Sequence, residues 1–216
     1  MYFHGNRNKK EIALTFDDGP AEATLELLKV LKKYKVKATF FVVGKMIKDR
    51  EYIIKHIKNE GHEIGNHTFS HKRLWFKSRD FIENEIIKCD EELKRVGIET
   101  NLIRFPGLKY GPNAVMICKK LKKVPIFAEF LTLNQFAYDW FKPWLRKRGF
   151  IKGEIKIDTV TKRTTKYTKN GSILVFHDYL QEIGPNPEII LIIDKVIPAL
   201  QAKGFKFVTI SELFEL

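Results

Sequence analysis

Two adjacent aspartates, Asp17 and Asp18, stand where an apolar run, Ile12–Phe16, breaks into Gly19-Pro20. Neighbouring carboxylates repel each other unless something positive lies between them or one takes a proton, which points to a metal ion or a general base. An Asx turn, or a cap on a helix starting after Pro20, would use the same residues without any chemistry. His67 and His71 follow in His67-Thr68-Phe69-Ser70-His71, at a spacing that sets two imidazoles on one side of a helical turn. One carboxylate and two imidazoles form a common three-ligand metal set that leaves positions open for water and substrate. A His-x-x-x-His alone is weak evidence, so its weight depends on Asp18 and on a third histidine, His177. Arg104, Asp139 and His177-Asp178 complete the ionisable groups that interrupt apolar segments, whereas His4, His56 and His62 fall elsewhere.

These residues depend on an alternating chain. Apolar strand-like runs occur at Ile12–Phe16, Ala38–Val43, Glu63–Asn66, Leu102–Phe105, Val124–Phe130, Ile173–Phe176 and Lys206–Thr209. Amphipathic segments separate them at Ala21–Tyr34, Tyr52–Glu60, Arg79–Val96, Asn113–Lys122 and Pro187–Lys203. Strand and helix in repeated alternation predict parallel strands joined by right-handed crossovers, closed into a barrel or left as a doubly wound sheet. Strand C-termini then open on one face, where such folds carry their sites. Five strand ends would deliver ionisable groups to that mouth. The expected organisation is one catalytic domain over residues 1–216, with an irregular excursion at 131–169 beside the site.

Composition narrows the classes of function. With 216 residues, 44% of them hydrophobic and 30% charged, the chain is long enough to bury a core and is not a disordered segment. Cys89 and Cys118 fall in helix-like segments and do not suggest a disulfide framework. Neither a signal-peptide stretch nor a membrane-length apolar run is present, so the expectation is a cytoplasmic protein, with peripheral membrane association left open. The net charge of +13 suits anionic lipid surfaces or acidic cell-wall polymers. It equally suits a heat-adapted surface rich in ion pairs. Nucleic acid is disfavoured, since none of the usual recognition motifs appears.

From about Ile12 to Leu213 the chain resembles the polysaccharide deacetylases of the NodB-homology type. Five motifs carry the resemblance in order: Thr15–Pro20, His67–His71, Arg104–Gly107, Asp139-Trp140 and Leu174–Asp178. The closing stretch Ala202–Leu213 is similar to the family's last strand and helix. The resemblance implies a distorted (β/α) barrel, often of seven parallel strands, with the site at the strand C-termini. It also implies one divalent metal held by Asp18, His67 and His71, usually zinc, with cobalt or nickel as substitutes.

The remaining roles are implied in the same way. Asp17 is the expected general base, Arg104 the arginine that orients it through a bidentate contact, and His177 the general acid paired with Asp139. The Gly107 amide is expected to stabilise the oxyanion, with Trp140 and Leu174 lining the acyl pocket and Thr68 supporting the metal ligands. Phe176 and Gly107 stand where the family usually carries leucine and an aromatic residue, and Lys142–Lys169 has no clear counterpart. The implied function is hydrolysis of an N-acyl group, N-acetyl above all, from an amino sugar or its oligomer or polymer. Alternatives are deformylation or hydrolysis of another small or lipid-linked amide at the same site, or a carbohydrate-binding module without catalysis.

Overall fold

A computed structural model describes residues 2–128, 157–180 and 184–216. The predicted alternation is realised as a curled parallel sheet wrapped by helices. Its central path runs β5-β4-β3-β2-β1-β6. These strands are β1 (Glu11–Asp17), β2 (Thr39–Val42), β3 (Glu63–Asn66), β4 (Leu102–Ile103), β5 (Val124–Pro125) and β6 (Ile173–His177). Ala13 pairs with Ile173 of β6 on one side and with Val208 on the other. The last strand, β9 (Lys206–Val208), therefore shares with β2 the edge of β1 that β6 does not occupy, and every pairing in this sheet is parallel. A small antiparallel ribbon of β7 (Tyr179–Leu180) and β8 (Gly184–Pro185) follows β6 directly.

The sheet curls far enough for the N-terminal segment to span its gap. Tyr2 bridges Ile126 beyond β5, and the Gly5 amide donates to the Gly171 carbonyl just before β6, at 2.8 Å. Gly171 allows that approach, because a Cβ there would lie 2.6 Å from the Gly5 carbonyl oxygen.

Strand periodicity sorts the core into two layers. Ile12, Leu14 and Phe16 of β1, with Leu174 and Phe176 of β6, face outward and pack under the helices α1 (Glu22–Lys33) and α7 (Glu188–Ala202). Leu27, Leu28 and Leu31 of α1 and Ile189, Ile193 and Val196 of α7 complete that layer. The inward set is Ala13, Phe41, Leu102, Ile173 and Val175. Ile210 and Leu213 of α8 (Ile210–Phe214) plug it from the strand N-terminal end. Buried on both faces, β1 reads as a continuous apolar run because parallel strands leave no face for water. With the bottom plugged by apolar side chains, polar groups collect at the other end.

The remaining helices are α2 (Gly44–Ile47), α3 (Glu51–Asn59), α4 (Arg79–Arg95), α5 (Pro112–Lys120) and α6 (Ile157–Tyr167). α6 falls inside the segment expected to be irregular, and residues 129–156 lie outside the described part. Cys89 and Cys118 are buried free thiols on α4 and α5. Among the described residues no helix is long and apolar enough to cross a membrane.

Candidate metal and catalytic site

β1 ends with Asp17 in extended conformation, and the chain then turns sharply through Asp18 at φ 76°. The two carboxylates consequently point to different partners. Neither caps α1: its N-cap is Ala21, whose amide donates to Thr24 Oγ1 at 3.0 Å. The cap reading of the pair is thereby excluded.

Asp18 faces His67 and His71. Its Oδ1 lies 3.2 Å from His67 Nε2 and 2.9 Å from His71 Nε2. One donor atom from each of the three residues fits within a sphere of 4.8 Å separation. His67 Nδ1 lies 2.8 Å from the Arg104 carbonyl oxygen, which only accepts. Nδ1 therefore carries a proton, and Nε2 is the ring nitrogen turned toward Asp18. Burial pushes the Asp18 carboxyl up, but His71, His67 and His177 outweigh it and hold Asp18 well below the usual carboxylate range. Two imidazoles and one ionised carboxylate at this separation fit a divalent cation such as zinc.

The local conformation differs from the helical turn that the four-residue spacing suggested. Thr68 and His71 have φ of 67° and 60°, so residues 67–71 form a left-handed bend that no α-helix contains. The imidazoles converge because that bend is braced from outside. The Thr68 and Phe69 carbonyls accept from the Gly44 and Lys45 amides of α2, at 3.0 and 2.9 Å. The Thr68 amide donates to Asn66 Oδ1 at 2.7 Å, while Asn66 Nδ2 donates to Asp90 Oδ1 and to the Ile86 carbonyl. Thr68, expected to support the metal ligands, is itself held through its backbone amide and carbonyl.

Glu85 of α4 is a participant that sequence reasoning missed. Its carboxylate accepts from the Ser70 amide and the Ser70 hydroxyl, each at 2.8 Å, and its carbonyl accepts from the Phe69 amide. The residue is buried, so this is a fixed brace on the loop that ends in His71. Only its place on the buried face of α4 hinted at a role, and a lone acidic residue there carries no signal without the fold.

Asp17 faces the other way, toward Arg104. Arg104 follows β4, is fully buried, and donates through Nη1 to Asp17 Oδ1 and to Thr15 Oγ1, both at 2.7 Å. The expected bidentate fork is instead a single contact to Asp17, since the same nitrogen is shared with Thr15. The guanidinium carbon lies 4.2 Å from the centre of the Phe41 ring. Gly65 makes room for that ring, as a Cβ there would lie 2.5 Å from it. Burial lowers the Arg104 pKa while Asp17 raises it, which is the balance of a desolvated ion pair.

His177 ends β6 and is the register partner of Asp17 across the β1–β6 pair. Asn186 Nδ2 donates to the His177 carbonyl at 2.9 Å, and the Asn186 amide to the Asp178 carbonyl at 3.1 Å. Asp178 accepts a short hydrogen bond from Thr24 Oγ1 and abuts Gly19, where a Cβ would come within 2.7 Å of Asp178 Oδ2. Burial pushes the Asp178 carboxyl up to about 7, against the Thr24 hydrogen bond. Asp178 thus docks the loop carrying Asp17 and Asp18 onto the end of β6.

Leu174 does not join this group. It lies three residues before His177, on the outward face, within the helix-facing core. Two residues separate side chains that share a strand face, so Val175 stands on the face of His177. Gly107 sits in the 3₁₀ turn Pro106–Leu108 after β4 at φ 66°, at the same end of the sheet. Asp139 and Trp140 lie outside the described residues. A cavity of about 650 Å³ is found elsewhere, lined by Lys58, His62, Glu63, Asn101 and Ser211 near the strand N-termini, and it includes none of the groups above.

Comparison with known proteins gives a consistent result. The polysaccharide deacetylase family model matches residues 4–125. The peptidoglycan-N-acetylmuramic acid deacetylase PdaA of Bacillus subtilis is 42% identical over 214 residues, which cover 98% of this chain and 74% of that protein. The crystal structure of the Bc1960 peptidoglycan N-acetylglucosamine deacetylase with a hydroxamate-type benzamide superposes with a TM-score of 0.84 at 34% identity, covering 99% of this chain and 92% of the other. A family 4 acetyl xylan esterase from Clostridium thermocellum, solved with a cobalt ion, gives 0.77 at 33% identity, with coverage of 94% and 90%.

Proposed function

The chain belongs to the polysaccharide deacetylase family, and we propose that it removes N-acetyl groups from the amino sugars of a peptidoglycan-type glycan. The observation that carries this reading is the joint geometry at one sheet end. A three-ligand set, Asp18, His67 and His71, lies beside an arginine-held Asp17 that is in register with His177. A binding module needs neither a base nor an acid. A divalent cation, zinc in this proposal, polarises the acyl carbonyl and makes water more acidic when bound.

The protein's own groups supply the rest. Asp17 takes the proton from the attacking water, held in place by Arg104 and shielded from bulk solvent by burial. The water oxygen bonds to the acyl carbon, and the Gly107 amide is the group we assign to stabilise the resulting oxyanion. As the C–N bond breaks, His177 delivers a proton to the departing nitrogen, so acetate and a free amino sugar leave. Asp139 is the residue we assign to keep His177 protonated.

The test is acetate release from peptidoglycan fragments and N-acetylglucosamine oligomers by zinc- or cobalt-loaded protein. Absence of turnover on acetamido, formamido and ester substrates, with metal shown to be bound, would overturn the proposal.

A further inference from the structure

The segment between the metal ligand His71 and helix α4 is an exposed strip that enters the core only through Leu74. From Lys72 to Arg79 it reads Lys-Arg-Leu-Trp-Phe-Lys-Ser-Arg, four cations with no acidic residue among them. Leu74 alone is buried. Trp75 is 46% exposed and Phe76 94%, with their ring centroids 5.5 Å apart. Phe76 also adopts φ 63°, a conformation costly for a bulky side chain. Neither burial nor backbone preference accounts for a phenylalanine there.

The strip is nonetheless anchored. The Lys77 amide donates to the Leu74 carbonyl at 3.1 Å, and Asn113 Nδ2 of α5 donates to the Lys77 carbonyl at 3.1 Å. Arg79 Nε reaches Asn113 Oδ1 at 3.3 Å, and the Lys72 and Lys77 ammonium groups lie 5.9 and 5.5 Å from the Phe81 ring centre. A fixed loop that presents two aromatic rings among cations, and that starts at a metal ligand, is built to hold something continuous with the substrate.

We propose that Lys72–Arg79 is a platform for the glycan strand beside the sugar being deacetylated, and that this strand carries carboxylates. The inference rests on the deacetylase reading above and narrows its substrate to an acidic polymer. Trp75 and Phe76 offer flat apolar faces to the sugar rings, and Lys72, Arg73, Lys77 and Arg79 complement carboxylates on the chain. A neutral oligosaccharide would use the aromatic half only. An anionic membrane would also meet aromatics and cations, but it has no reason to lie next to His71.

Binding is measured first, without catalysis, by co-sedimentation of metal-free protein with insoluble peptidoglycan. Trp75→Ala/Phe76→Ala is expected to weaken this at least tenfold with an unchanged melting temperature. Lys77→Ala should weaken binding to peptidoglycan but not to uncharged chitin, and only at low salt. With metal restored, the aromatic double variant should raise KM on the polymer about tenfold, while hydrolysis of a monomeric N-acetylated sugar stays within twofold. Peptidoglycan binding that survives the double variant, or equal losses on monomer and polymer, overturns the platform. So does loss of binding to phosphatidylglycerol vesicles with glycan binding intact. Failure of wild-type protein to hydrolyse any amide would instead sink the parent reading.

Discussion

Asp17 and His177 are register partners on the adjacent parallel strands β1 and β6. Parallel neighbours lie about 4.8 Å apart, so the backbone ladder itself fixes the spacing of the assigned base and acid. A base and an acid held by hydrogen-bonded strands need no loop closure to find each other.

Asp17→Asn should therefore bind metal as the wild type does and lose about 10²- to 10⁴-fold in kcat. His177→Asn should behave alike. Because both residues serve one hydrolytic sequence as a unit, the double variant should cost much less than the product of the two single losses. His67→Ala should differ in kind, lowering metal affinity itself. Isothermal titration with zinc, set beside acetate release, separates the two classes; full turnover by Asp17→Asn would remove the base assignment.

Arg104→Ala strips a buried carboxylate of its cation. Asp17 and Arg104 are both almost fully buried, with 2.7 Å between Oδ1 and Nη1. Breaking such a pair from one side costs about 3–5 kcal/mol, which the denaturation midpoint will show. Arg104→Lys keeps the charge but loses the flat stacking on Phe41, so it should recover part of the stability and little of the activity.

Glu85 is outside the ligand set yet should govern it. Glu85→Gln keeps the volume but cannot accept from both the Ser70 amide and hydroxyl in the same way. We expect zinc affinity to fall about 10- to 100-fold with the fold intact. Competition with a chelator measures this directly, and unchanged affinity would reduce Glu85 to a packing role. Metal removal supplies the companion result: wild-type protein should lose about 2.7 kcal/mol relative to zinc at a hundred times its Kd. The loss should be smaller in Glu85→Gln at the same zinc concentration.

His62 gives a pH dependence unrelated to catalysis. Its Nδ1 accepts from the Ala38 amide at 3.2 Å, and its ring meets Phe40 edge-on. Burial, helped by Lys37, pushes its pKa down from 6.5 to about 4. The folded state thus resists a proton that the unfolded chain accepts. The stabilising contribution is complete above about pH 6.5 and is lost as pH falls toward 4. Urea midpoints measured from pH 7 to pH 4 should decline, and His62→Gln should flatten that decline.

Much of this was readable in the sequence because parallel strands bury both faces and appear as unbroken apolar runs. Ile12–Phe16, Ala38–Val43 and Ile173–Phe176 fall on observed strands for that reason. Polar residues at their ends stood out by contrast, which is why Asp17, Asp18, His67, Arg104 and His177 could be singled out. The errors came from local geometry. The four-residue spacing of His67 and His71 has a helical reading, but Thr68 and His71 are left-handed, and only the braces from α2 and α4 hold them so. Leu174 was assigned to the pocket, yet the two-residue period of the strand turns it toward the helices and leaves Val175 beside His177.

The sequence by itself determined the chemistry available, because only certain residue types carry ligating nitrogens, carboxylates and a planar cation. It also determined the order of strands and helices, since burial imposes its period on the chain. The division of labour between Asp17 and Asp18 was decided by tertiary structure. Adjacent residues share a sequence position in all but one bond, yet one ends a strand facing Arg104 and the other turns back at φ 76° toward two imidazoles. The same holds for Glu85, eighteen residues from His67 along the chain, which becomes a brace on the metal loop only when α4 packs against it.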